Sequence, residues 1–149
     1  MCLTLNRMNK LTLLLLVLLL FGACESKKTE EQDTESEQSK MYQEVIDIHD
    51  KVMPRLQDIS IMLENLESRI DSLDQVSGSE EDLAVLRQQM IELDEADESM
   101  MNWMRQFQAT YDGWDEQKII DYLKEEKIKI SEVDELVDKS IDKAKSLLQ

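Results

Sequence analysis

The chain has 149 residues and a formal net charge of −16 at pH 7, with 33 acidic against 17 basic residues. This excess of carboxylates repels phosphate backbones, which proteins bind through Lys and Arg, so nucleic acid is excluded as a partner. One histidine, two cysteines and three glycines leave no zinc motif, phosphate-binding loop or nucleophile elbow, so no enzymatic activity is expected.

Residues 1–23 have the order of a secretory signal peptide. Arg7 and Lys10 precede an almost wholly apolar run of 13 residues, and a basic stretch followed by an apolar stretch is typical of such signals. The run is too short to span a bilayer, which takes about 20 residues. Either Met1 or Met8 could start the segment, because the shorter version keeps a basic residue and the whole apolar run. We expect the segment to be removed.

Cys24 directly follows this run and is predicted to carry a membrane anchor. Residues 20–24 resemble the bacterial lipobox, in which a peptidase cuts before the cysteine and a diacylglycerol is linked to its sulfur. Without the lipid, Cys24 would be a lone free thiol in an exported protein, because Cys2 lies in the removed segment. The alternative is an ordinary secretory signal with an unmodified cysteine. Lipidation would attach the protein to the bacterial cell envelope, with the outer membrane as the expected location, facing periplasm or medium.

Residues 24–38 are predicted to form a lipidated, disordered tether. From residue 25 onward the stretch contains no apolar side chain and cannot bury enough surface to offset its chain entropy. Removal of the signal leaves 15 basic against 33 acidic residues, a formal net charge of −18. Because this charge keeps the polypeptide away from anionic lipid, attachment should depend on the acyl chains on Cys24, of which two suffice for stable anchoring.

Residues 39–149 are predicted to form an all-α domain whose first helix carries a heptad seam. Apolar residues recur every three or four positions, as in a coiled coil: Met41, Val45, Ile48, Val52, Leu56, Ile59, Leu63, Leu66, Ile70 and Leu73. Pro54 interrupts this seam without changing its phase. Two interpretations stay open, a kinked continuous helix or a helix that ends near Val52 and restarts with Pro54 in its first turn.

A second helix is predicted after a break at residues 76–79. Ser79 followed by three acidic residues has the pattern of an N-cap with negative charges in the first helical turn. The apolar stripe of this helix comprises Leu83, Leu86, Met90, Leu93, Ala96, Met100, Met104 and Phe107.

The third helix is predicted to start near Asp115. Trp114 and Ile119 flank this residue in the pattern of a hydrophobic staple around an N-cap. The stripe includes Ile119, Ile120, Leu123, Ile130, Val133, Val137, Ile141, Ala144 and Leu148. The stripe is weakest at residues 125–127, and Ser131 could cap a restart, so the sequence allows this helix to be bent or split near residues 127–131. Short connections make neighbouring helices antiparallel, which predicts an up-down-up three-helix bundle.

A soft-metal or haem site is the one ligand site that the residue types allow. His49 and Met53 lie four residues apart on one helical face beside Pro54, and Met100 and Met104 are on the second helix. Imidazole and thioethers together would suit copper or the axial positions of a haem. The alternative is structural, since Met is a common core residue and a flanking His usually makes a structural hydrogen bond. No metal or other cofactor is therefore assigned.

Five stretches together resemble small Bacteroidota lipoproteins often labelled "viral A-type inclusion protein". They are the lipobox, the acidic tether, the stretch from His49 to Pro54, residues 103–107 and the helical tail. The resemblance covers essentially the whole chain, although its motifs are short. It implies fold and location only, because the family has no established activity or site residues to transfer.

The leading hypothesis is a non-enzymatic, lipid-anchored interaction or structural protein of the bacterial envelope, with an unidentified protein partner. A soft-metal or haem protein that uses His49 and the methionines is the first alternative. An envelope chaperone with an apolar groove is the second, and it would require an exposed apolar patch.

Overall fold

A computed structural model describes residues 36–76 and 79–149, which form four helices: α1 (Glu37–Val52), α2 (Arg55–Gln75), α3 (Glu80–Gln106) and α4 (Glu116–Leu147). Residues 35–149 make one compact unit. The described residues contain no strand, so the all-α prediction is confirmed. The predicted signal peptide, the lipidation site Cys24 and most of the tether lie outside the described residues.

The helical domain begins slightly before the predicted boundary. Residues 24–38 were expected to form the tether, but α1 already begins at Glu37. The reason is a cap: the Ser36 hydroxyl accepts a hydrogen bond from the Ser39 amide at 3.1 Å. Capping satisfies an amide that has no partner within the helix. Apolar periodicity could not show this turn, because none of its side chains is apolar.

The first heptad seam runs through α1 and α2 across the proline. Met53 and Pro54 both keep right-handed helical dihedral angles. Downstream of the proline, Leu56 and Gln57 bond to carbonyls three residues back, at 3.3 Å. The fully buried members are spaced by seven residues: Val45, Val52, Ile59 and Leu66. The helix therefore ends at Val52 and restarts directly after Pro54, close to the second of the two interpretations, and the seam keeps its phase across this two-residue break, which we call the kink.

The seam of α3 follows the predicted start but differs at two positions. The Ser79 hydroxyl accepts from the Asp82 amide at 3.0 Å, which confirms the N-cap. Met90 and Met104 were assigned to the stripe, yet they are only partly buried. Gln89, which has no exposed surface, and Trp103, which is 6% exposed, are the buried residues at these points. At both points the apolar pattern predicts the methionine, whereas the buried residue is the one directly before it.

The α4 helix is continuous for 32 residues, so the predicted option of a split near residues 127–131 is wrong. The Ser131 hydroxyl donates to the Lys127 carbonyl at 2.7 Å within the helix instead of capping a restart. Glu126 fills the apparent gap in the seam, is 3% exposed, and its carboxylate binds Lys129 Nζ at 2.7 Å. The predicted N-cap is confirmed, since Asp115 accepts from the Lys118 amide at 2.9 Å.

Contacts between the helices establish the up-down-up order. Parallel α1 and α4 are joined by Glu44–Lys127 at 2.7 Å, Lys51–Asp134 at 2.5 Å, and an ion pair between Arg55, just after the kink, and Asp138. Antiparallel α3 and α4 are joined by Gln89–Ser140 at 2.9 Å towards the start of α3 and by Phe107–Tyr122, with 6.2 Å between ring centroids, at its end, so residue numbers rise along α3 as they fall along α4. The predicted bundle is confirmed. No helix within the described ranges has the length and apolar character needed to cross a membrane.

Candidate functional site: an acidic groove between α3 and α4

The predicted soft-ligand residues lie around the bundle core. His49 is 25% exposed, and its Nδ1 lies 2.8 Å from the Asp50 carboxylate. Its ring also packs against Trp103, with 6.0 Å between the ring centroids. These contacts give the histidine a structural setting on α1.

The methionines of the predicted site are involved in packing. Met100 has no exposed surface and belongs to the hydrophobic core. Met53 and Met104 are partly buried and pack against the same core. Among the described residues, no group of three or more His, Cys, Asp or Glu side chains is arranged to hold a metal ion. A thioether site at these positions stays a prediction, and Cys24 lies outside the described residues.

An aromatic cluster closes the end of the bundle where α3 leads into α4. Trp103 stacks on Phe107 at 4.8 Å between centroids, and Phe107 lies 6.2 Å from both Tyr42 and Tyr122. Trp114 meets Tyr122 edge-on at 5.5 Å. Six aromatic residues that are scattered between residues 42 and 122 thus form one cluster. Periodicity did not indicate this cluster, because its contacts join residues on three helices and on the connection between α3 and α4.

The connection from α3 to α4 is held by polar contacts within this cluster. The Gln108 amide donates to the Tyr122 hydroxyl at 2.7 Å, and Lys118 Nζ lies 4.1 Å from the centre of the Trp114 ring. Gly113 supplies a positive φ of 78° in the turn, a conformation that glycine adopts without steric cost. Burial raises the pKa of Tyr111 to about 12, and its hydroxyl has no hydrogen-bond partner. The cluster therefore has a structural role.

A cleft of about 430 Å³ opens to solvent between α3 and α4. Its volume is within the range of about 300–1,000 Å³ found for ligand pockets. The residues that line it are Ser99, Asn102, Trp103, Gln106, Glu126, Lys129, Glu132, Val133 and Leu136. Among them, the buried carboxylate of Glu126 accepts a hydrogen bond from the exposed ammonium of Lys129, which raises the Lys129 pKa. Leu136 is 39% exposed.

Two more open grooves adjoin this central cleft, one on its α3 side and one on its α4 side. The first contains Ile91 and shares Ser99 and Asn102 with the cleft. The second contains Ile128, shares Glu132 with it and lies between α4 and Met41 of α1. We call the cleft and both grooves together the α3–α4 face. Its exposed apolar residues, Ile91, Ile128 and Leu136, lie outside the predicted stripes. An apolar residue outside a stripe is the sequence signal that could have revealed this face.

The unpaired charges of the α3–α4 face are all negative. Its three lysines already have acidic partners, in the pairs Lys124–Glu37 at 3.8 Å, Lys127–Glu44 at 2.7 Å and Lys129–Glu126 at 2.7 Å. Glu98 is paired with Arg105 at 2.5 Å. In the part of the chain that the structure describes, the remaining carboxylates of the face have no ion-pair partner: Asp94, Glu95, Glu132 and Glu135.

Comparison with known proteins leaves this face without a precedent. No protein-family model matches the chain, and neither a curated protein nor a solved structure is significantly similar to it.

Proposed function

We propose that this protein is a lipid-anchored helical interaction protein of the bacterial cell envelope, without catalytic activity. The observation that carries the proposal is the α3–α4 face. Leu136 lines the cleft and is 39% exposed, while Ile91 and Ile128, which are 50% and 61% exposed, line the two grooves beside it on an otherwise acidic surface. Apolar side chains that border a groove and are rimmed by charge are typical of protein–protein contact sites. The lipobox at Cys24 and the resemblance to Bacteroidota lipoproteins support the envelope location.

The two alternative functions have less support. A chaperone would need a broad apolar surface for unfolded chains, whereas carboxylates separate the exposed apolar residues of this face. A soft-metal or haem protein would need thioethers that can reach a ligand, whereas Met100 is fully buried among core side chains. An interaction protein fits both observations.

Metabolic labelling tests the anchor. We expect the wild-type protein to incorporate labelled palmitate and to partition into detergent, while Cys24→Ser should be neither lipidated nor correctly processed. Equal labelling of the two proteins would exclude acylation at Cys24.

Site-specific photo-crosslinking in living cells tests the interaction. We expect a photoreactive residue at Leu136 to form a discrete adduct with another protein. The matched control is Ile61, which is 42% exposed on α2 and outside the face; the same residue placed there should form none. Absence of adducts from both positions would contradict an interaction function, whereas adducts only from position 61 would keep the function and move the surface.

A further inference from the structure

We propose that the α3–α4 face binds a basic amphipathic helix of a partner protein. The inference depends on the proposed interaction function and specifies the chemistry of the partner. The occupant places Lys and Arg opposite the four unpaired carboxylates of the face, and its apolar side chains contact Ile91, Leu136 and Ile128.

Charge complementarity requires that the contact surface of the partner be positively charged. Every lysine on the face is neutralised by an acid of its own chain, so the face offers no free positive charge to an acidic ligand. Asp94, Glu95, Glu132 and Glu135 are open to a cation. Opposite potentials accelerate association and exclude wrong partners. A second copy of this chain is disfavoured for the same reason, because it would bring another acidic surface to these carboxylates.

The shape of the face favours a helix. The central cleft lies between two antiparallel helices, and an amphipathic helix lays its apolar side into a cleft of this kind. An extended peptide would instead need the free edge of a sheet, and the described residues contain no strand. The α3 side of the face extends from Ile91 to Gln106, a length of about 22 Å that matches roughly four helical turns.

Peptide binding to residues 35–149 tests the proposal. This unit contains its own core, and its folding is checked by circular dichroism before binding is measured. The probe is a fluorescent helix of about 18 residues built from Leu and Lys in an amphipathic pattern. We expect saturable one-to-one binding by fluorescence anisotropy. A scrambled peptide of the same composition should bind at least about tenfold more weakly, because its Leu residues no longer share one side.

Two matched pairs of variants distinguish the face from general attraction to an acidic protein. Glu95→Gln with Glu132→Gln should weaken binding by about tenfold or more. Glu64→Gln with Glu67→Gln removes the same charge from exposed positions on α2 and should change binding less than about twofold. Leu136→Ser should weaken binding and Ile61→Ser should not.

Three outcomes would overturn the inference. Equal weakening by both charge pairs would indicate non-specific electrostatic attraction. Failure of the amphipathic peptide to saturate would exclude a basic helix as occupant. A concentration-dependent dimer in sedimentation analysis that Leu136→Ser converts to monomer would make a second copy the occupant. The crosslinking adduct at Leu136 could still form in the first two cases, so failure of this inference is distinguishable from failure of the interaction function.

Discussion

Leu66 and Leu63 are three residues apart on α2 but differ in burial, and mutational stability should follow that difference. Leu66 has no exposed surface, whereas Leu63 is only partly buried. Leu66→Ala should lower the free energy of unfolding by about 2–5 kcal/mol, the usual cost of emptying a core site. Leu63→Ala should cost less. Urea unfolding measures both, with Glu64→Ala as a surface control expected within about 0.5 kcal/mol of wild type. A larger loss at Leu63 would contradict the seam assignment.

Gln89 is a polar residue at a fully buried position, and its amide is only half satisfied. Its Nε2 donates to the Ser140 carbonyl at 2.9 Å, while its Oε1 is buried without a partner. Such an orphan acceptor costs about 1–3 kcal/mol. Gln89→Met keeps the shape and removes the orphan, so we expect thermal stability to rise. Gln89→Ala leaves a cavity and should lower it. A fall for both variants in calorimetry would show that the single hydrogen bond outweighs the orphan oxygen.

Tyr111 should make the protein less stable in strong alkali. Burial raises the pKa of Tyr111 to about 12 from an ordinary 10. Between these two values the unfolded chain loses this proton while the folded chain keeps it, so stability falls as pH rises. Tyr111→Phe removes the titrating group. We expect the melting temperature of wild type to fall more steeply from pH 10 to 12 than that of the variant. Parallel slopes would exclude the contribution of this phenol.

At the scale of the element, Pro54 interrupts the helical path between α1 and α2 but does not determine the register of their buried residues. The buried positions keep a spacing of seven residues on both sides of it. Pro54→Ala restores an amide that can donate to the Asp50 carbonyl, so we expect higher helicity and a gain of up to about 3 kcal/mol in unfolding free energy. Pro54→Gly should gain about 1 kcal/mol less. Destabilisation by Pro54→Ala would mean that the kink is needed to pack α1 against α4.

The order of the helical segments and two of the caps were predictable because each has a local cause. Ser79 and Asp115 cap with their own side chains, and their acidic or apolar neighbours mark them in the sequence. Glu126 was not predictable as a seam residue, because its burial depends on Lys129 shielding its carboxylate. The α3–α4 face was not predictable either. Its charge depends on which acids pair with its lysines, namely Glu37 and Glu44 on α1 and Glu126 on α4. The pairs with α1 are long-range contacts, which periodicity does not reveal.

At the scale of the whole molecule, long-range repulsion should outweigh the surface ion pairs. The chain has 17 basic against 33 acidic residues, and an exposed ion pair contributes only about 0–1 kcal/mol. Raising the ionic strength from about 0.01 to 0.15 M shortens the screening length from about 30 to 8 Å. This weakens repulsion between distant carboxylates more than attraction within close pairs. We expect the melting temperature to rise with salt; a fall would show that the ion pairs dominate.

Because both α1–α2 and α4 have a seven-residue repeat, their apolar residues alone would allow more than one alignment, and the ion pairs between them select one. Apolar side chains alone would tolerate sliding one rod past the other by one heptad, since Val45, Val52 and Ile59 would meet similar neighbours. Glu44 contributes the acid to its ion pair and α4 contributes the base, whereas Lys51 and Arg55 contribute the base and α4 contributes the acid. A slip one way would set Glu44 against Asp134, and a slip the other way would set Lys51 against Lys127. The alternating signs of these charges therefore favour one alignment of two helical segments whose apolar patterns are repetitive.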